Sequence, residues 1–171
     1  FDTPNFIWRF VKGETDYMLG VVDYPRFESE YIYYNRAVWQ QTLNLTETEK
    51  TTLFQLIQAN FRPENRIYRY SFFYDNCSTR ARDKIEESIN GQVKYQSIDN
   101  RQTFRDIIYQ STKGYEWERF GMDFCLGMEA DRPISYREEM FAPLYMMDAF
   151  DNATITDKEN NERALVSSTI E

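Results

Sequence analysis

The chain has 171 residues, a net charge of −8, 17% aromatic residues (13 Tyr, 13 Phe, 3 Trp) and no histidine. That length supports one folded domain with a real core, and an apolar share of 42% is that of a globular protein, not a disordered one. The acidic balance argues against nucleic acid or a polybasic membrane patch as partner, no run approaches the ~18 apolar residues of a membrane span, and two cysteines without a CxxC pair suggest neither a disulfide framework nor a metal site.

Thr3-Pro4 opens a short helix in PNFIWRFVKG, which Gly13 stops. The Tyr-, Val- and Ile-rich stretches 17–24 and 29–45 read as strands joined through Pro25, the second broken near Asn35. Thr46-Glu47-Thr48-Glu49 spells a capping box and starts a helix with Leu53, Leu56, Ile57 and Phe61 at helical spacing. After the turn 62–66, IYRYSFFYD (67–75) reads as a strand with Tyr68, Tyr70 and Phe72 on one face, followed by a helix ending at Asn90-Gly91. RQTFRDIIYQSTKG and YEWERFGMDFCLG read as helices. Ser135-Tyr136-Arg137-Glu138 is a second capping box, and Pro143 bends or breaks the helix it starts. Residues 151–163 read as a polar loop, with a final edge strand in ALVSSTI. The sum is α+β: a small antiparallel sheet with several helices, one domain over 1–150, then a polar loop and tail over 151–171.

The stretch YDNCSTRARDKIE, Tyr74–Glu86, sets a cysteine where a polar turn becomes a helix. With Asp75 or Asn76 as N-cap, Cys77 falls in the first turn, among unpaired N–H groups and the positive end of the helix dipole. Both favour a thiolate and a developing oxyanion, and Arg80 and Arg82 add positive charge. Cys77, Ala81, Ile85 and Ile89 step by four, which predicts an inward-facing thiol. The plainer reading uses the same stripe: a cysteine on a buried helix face is ordinarily a small hydrophobe. Arg80 and Asp83 likewise read as a solvated surface pair. Asp131 reads as a loop-capping residue, Cys125 as core, and Cys77 and Cys125 as unbonded to each other.

Four blocks in order, FDTPNFIWRFVKGETDYMLG, NRAVWQQTLNLTETEK, PENRIYRYSFFYDNCSTRARDKIE and DFCLGMEADRPISYREEMFAPLYM, resemble the Lnb N-terminal periplasmic domain family over roughly residues 1–150. The resemblance implies a periplasmic, cell-envelope location and a lipoprotein N-acyltransferase. It also implies a circularly permuted papain-like site in which a histidine on a strand precedes the cysteine. Asn76-Cys77 matches the nucleophile motif. The family's Gly-His has no counterpart here, and the start at Phe1 reads as a trimmed piece of a larger protein that is incomplete at its N-terminus.

The resemblance thus implies a thiol-dependent acyltransferase domain. Cys77 is its nucleophile, Asn76, Arg80 and Asp83 support it, and no cofactor or metal is needed; the tyrosines themselves offer Tyr70 and Tyr74 as a substrate groove, against the plainer reading that alternating aromatics on a strand are core. Phospholipid or lipoprotein is engaged through the parent protein, and the piece alone is inactive without its general base. The alternatives are a papain-like amidase or hydrolase, and a non-catalytic periplasmic binding domain.

Overall fold

The computed structural model describes residues 5–96 and 102–170. Its first half runs α1 (Phe6–Val11), β1 (Asp16–Met18), α2 (Tyr24–Tyr33), β2 (Gln40–Leu43), α3 (Glu47–Phe61), β3 (Ile67–Arg69), α4 (Cys77–Ser88) and β4 (Gly91–Lys94). Then come α5 (Phe104–Ser111), α6 (Glu116–Leu126), a 3-10 turn (Met128–Asp131), α7 (Tyr136–Glu139), α8 (Pro143–Asp151), β5 (Thr154–Asp157), β6 (Glu162–Ala164) and β7 (Val166–Ile170). The fold is the expected α+β mixture. β2 pairs antiparallel with β7, β4, β5 and β6 form an antiparallel three-stranded sheet, and β1 pairs with β3.

The helix starts follow their sequence signals. Thr46 and Ser135 each close a capping box, with Glu49 and Glu138 as the reciprocal partners, and Thr103 closes a third with Asp106. Pro143 breaks its helix outright: α7 ends at Glu139 and α8 begins on the proline, where a missing N–H costs nothing. The cap expected at Thr3-Pro4 lies outside the described residues.

Three strand expectations are corrected, the first being 67–75, of which only Ile67–Arg69 is strand before the chain turns at the Ser71–Asp75 bridge. Of 17–24 and 29–45, only β1 and β2 are strand, and α2 lies between them. Pro25 sits in the first turn of α2, and Phe27 and Tyr31 meet at 4.4 Å across one turn. Helical pairing at i, i+4 thus overrides the β preference of tyrosine and isoleucine. The break near Asn35 is real, but it ends a helix: Asn35 takes a left-handed φ of 51° just past the C-cap. Residues 151–163, expected as a loop, hold β5 and β6. Ala153 and Ile155 alternate inward, and Asp157 accepts from the N–H groups of Glu159 and Asn161 to close the turn.

The chain forms two compact units. The first draws on Phe1–Tyr17, Arg69–Arg82 and Ser97–Met146. Its core is Phe73, Phe104, Ile107, Ile108, Ala130, Ile134 and Phe141. Phe73 stacks on Phe104 at 4.1 Å and meets Phe141 edge-on at 5.5 Å. The second draws on Met18–Tyr68, Asp83–Gln96 and Met147–Glu171, with Ile155, Leu165, Ala149 and Phe150 buried. There the buried Glu49 accepts from Arg163, from the Asn90 N–H and from Thr46. Burial alone pushes that carboxyl up, but these donors outweigh it and hold it below the ordinary range.

Candidate functional site

Cys77 is the first residue of α4, and Asn76 caps the helix. Asn76 Oδ1 accepts from the Ser78 N–H at 2.8 Å and the Thr79 N–H at 3.0 Å, while the Asn76 N–H donates to Thr79 Oγ1 at 2.8 Å. Asn76 Nδ2 donates to the carbonyls of Phe72 at 2.8 Å and Phe141 at 2.9 Å. The side chain is 4% exposed, so this one asparagine ties the helix start to two core segments. It also spends two of the first-turn donors. Among the described residues the Cys77 N–H makes no hydrogen bond, so the several free donors expected around the thiol reduce to that one.

The thiol faces outward. Cys77 and Ala81 are exposed and Ile85 half-buried, whereas Ser78, Thr79, Arg82, Ser88 and Ile89 are buried. The inward apolar stripe expected from the four-residue spacing is therefore corrected. The polar side chains go inside because each carries a partner. Thr79 Oγ1 bonds the Asn76 backbone, Ser88 Oγ donates to the Ile85 carbonyl, and Arg82 donates to the Arg137 carbonyl at 2.9 Å.

The exposed thiol opens on a cavity of about 220 Å³ that lies wholly within the first unit. Tyr70, Phe72 and Asn76 flank Cys77, Ile107 and Ile108 come from α5, Met122 from α6, and Phe141, Ala142 and Pro143 from the α7–α8 break. Two polar residues of the lining are turned back on their own helix. Ser111 Oγ donates to the Ile107 carbonyl and Thr112 Oγ1 to the Ile108 carbonyl, which leaves the cavity apolar. Tyr70 is braced by Tyr17, stacked at 4.1 Å, and by Phe10 at 5.8 Å. Burial raises the Tyr17 phenol above its ordinary value, so Tyr17 stays a hydrogen-bond donor.

The other expected site residues scatter. Arg80 is bound at both ends of the Asp75 carboxylate, 2.6 and 2.8 Å, so its charge is answered locally. Asp83 is exposed and falls in the second unit. Tyr70 joins the cavity wall, but Tyr74 hydrogen-bonds Glu129 and Arg132 instead. Asp131 does not cap a loop; with Asp123 and the Gly127 carbonyl it holds the guanidinium of Arg105. Cys125 is half-buried, and both cysteines are free thiols. Sequence reasoning does not single out Ile107, Ile108, Met122 or Phe141 as lining. Their apolar spacing is the only signal, and it is the same for core and for cavity wall.

Among the described residues no three His, Cys, Asp or Glu side chains converge as a metal site, and no helix is long and apolar enough to cross a membrane. Neither a curated protein nor a solved structure matches the chain. The family model described as the Lnb N-terminal periplasmic domain matches residues 2–110, which takes in Asn76-Cys77, nearly all of α5 and half of the cavity wall; the block around Asp131 lies beyond the matched span. The chain belongs to the Lnb N-terminal periplasmic domain family and is a periplasmic domain.

Proposed function

We propose that the domain is the thiol-bearing part of an envelope acyltransferase that works in the manner of circularly permuted papain-like enzymes. The observation that carries this is the exposed Cys77 thiol at the first residue of α4, opening on an apolar cavity. Its sulfur attacks the carbonyl carbon of a lipid ester, and the Cys77 N–H donates to the oxyanion. The C–O bond then breaks, the alcohol leaves with a proton, and the acyl group stays as a thioester. A lipoprotein α-amine attacks next, the C–S bond breaks, and an amide forms as the thiol is regained. An apolar site suits this order, because water competes with the amine for the thioester. A papain-like base is a histidine, and the 171 residues contain none, so this reading calls for a base from another segment.

The test is Cys77→Ala and Cys77→Ser in the full-length protein, with lipoprotein N-acylation and a hydroxylamine-labile acyl adduct on Cys77 read by mass spectrometry. Both variants should fold and lose transfer. Normal acylation by Cys77→Ala overturns the reading. The missing histidine favours a second reading, a non-catalytic binding domain. That reading gains if the full-length wild type never carries the adduct. Peptide cleavage without amide formation would point to an amidase instead.

A further inference from the structure

The cavity of about 220 Å³ beside Cys77 has little to offer a polar guest. Asn76 donates through Nδ2 to the carbonyls of Phe72 and Phe141, Ser111 Oγ to that of Ile107 and Thr112 Oγ1 to that of Ile108, so the side-chain donors of all three are spent within the chain. Ile107, Ile108, Met122, Phe141 and Ala142 add only hydrocarbon and one thioether to the wall. A peptide inserted there would bury carbonyls that these spent donors cannot answer. A hydrocarbon chain needs no donor. Volume narrows the guest further. An apolar cavity of about 150 Å³ holds a benzene ring, so by the same proportion this one holds about eight carbons, enough for part of one chain and too few for two.

We propose that this cavity is a measuring pocket: it takes one unbranched acyl chain from the Cys77 sulfur to a depth of about eight carbons, and Met122 sets that depth. The proposal rests on the acyl-transfer reading for its purpose, but not for its measurement. The exposed thiol is part of the cavity wall, so a chain joined to it has this apolar volume beside it. Carbons beyond the filled depth find no wall to pack on and are not told apart. Met122 is the adjustable part of the wall. Ile107, Ile108 and Phe141 are 1%, 3% and 5% exposed and belong to the core cluster, so their positions are fixed by packing on all sides. Met122 is half-buried and reaches the wall from α6. Its unbranched thioether adapts to an irregular gap, and changing it alters the cavity without emptying the core.

The experiment reads Cys77 directly and needs neither a general base nor an acyl donor. Straight-chain alkyl methanethiosulfonates, methyl to dodecyl, each form a disulfide with the thiol: the reagent's own S–S bond breaks, and methanesulfinate leaves as the thiol gives up its proton. The rate at Cys77 in the native 171-residue protein, divided by the rate at the same thiol in urea, is followed by mass mapping. That ratio should rise about fourfold per added methylene to about eight carbons and then level off. Met122→Ala leaves its missing atoms as extra cavity and should move the break out by about three carbons. Ala142→Leu fills the cavity from another wall and should move the break in by about as much. Phe54→Ser, an exposed phenylalanine of the second unit, should leave it in place. Three outcomes overturn the proposal: a ratio that does not change with chain length, a break that neither wall variant moves, and a benzyl reagent that outpaces the octyl one, the mark of a pocket for an aromatic peptide side chain. A full-length protein that never carries an acyl adduct would refute the acyl-transfer reading and leave the break standing. One that takes acyl groups shorter than about eight carbons as readily as longer ones would refute the measuring pocket alone.

Discussion

Replacing Asn76 with alanine removes four side-chain hydrogen bonds at one buried point. Loss of an N-cap costs about 1 kcal/mol. Each buried carbonyl left without its donor, here those of Phe72 and Phe141, costs about 1–3 kcal/mol more. The expected loss is about 3–7 kcal/mol in all, a large part of the 5–15 kcal/mol that stabilises a typical domain. Aspartate separates the two roles. It keeps an oxygen for the Ser78 and Thr79 N–H groups but turns its other oxygen on the two carbonyls. Its carboxyl should therefore be pushed up in the folded state. A group raised in this way gives stability that is present at low pH and lost as pH rises through its folded value. Asn76→Asp should accordingly recover part of its loss on acidification, and Asn76→Ala should not. Urea unfolding followed by circular dichroism across pH measures both. An alanine variant that costs less than about 1 kcal/mol, or an aspartate variant that tracks alanine at every pH, would refute the assignment of Asn76 as the joint between helix start and core.

Four further outcomes are expected. Arg132, opposed by burial and helped by Ser135, depresses Glu138 from 4.5 to about 2. Its contribution is therefore complete above pH 4.5 and lost as pH falls toward 2, and Glu138→Gln should flatten that acid limb of the unfolding midpoint. Gly91→Ala sets a Cβ 2.2 Å from the Thr156 carbonyl oxygen at a φ of 156° and should cost about 2 kcal/mol or more in urea unfolding. Phe104→Ala empties a fully buried site in the Phe73–Phe141 cluster and should cost about 3–5 kcal/mol by the same measure. Iodoacetamide on the native protein should alkylate the exposed Cys77 before the half-buried Cys125, and unfolded, unreduced protein should titrate two thiols; mass mapping reads the order.

The helix starts are legible in the sequence because they are local. A Thr or Ser three residues before a Glu satisfies donors that no distant residue needs to supply, and Thr46 and Ser135 cap where their spelling says. Pro143 and the start of α4 at Cys77 are legible for the same reason. The segment 24–33 is not, because aromatic and β-branched residues fit either state and the decision falls to pairs such as Phe27–Tyr31. Gly91 marks the end of a helix as its spelling suggests, but for a different cause. It is required by the close approach of β5, which no neighbour in sequence announces.

The same limit governs the site. Hydrophobic spacing on α4 assigns Cys77 and Ala81 to the inside, yet Ser78, Thr79 and Arg82 are there, because a polar side chain with a partner at hand can be buried with little loss. The thiol is thereby turned out to the cavity mouth. On α6 the ambiguity runs the other way. Met122 with Leu126 and Trp117 with Phe120 and Phe124 make two apolar arcs about half a turn apart, and spacing cannot say which one the core will take. The core takes the smaller, more flexible side chains, and three large aromatic rings remain in solvent.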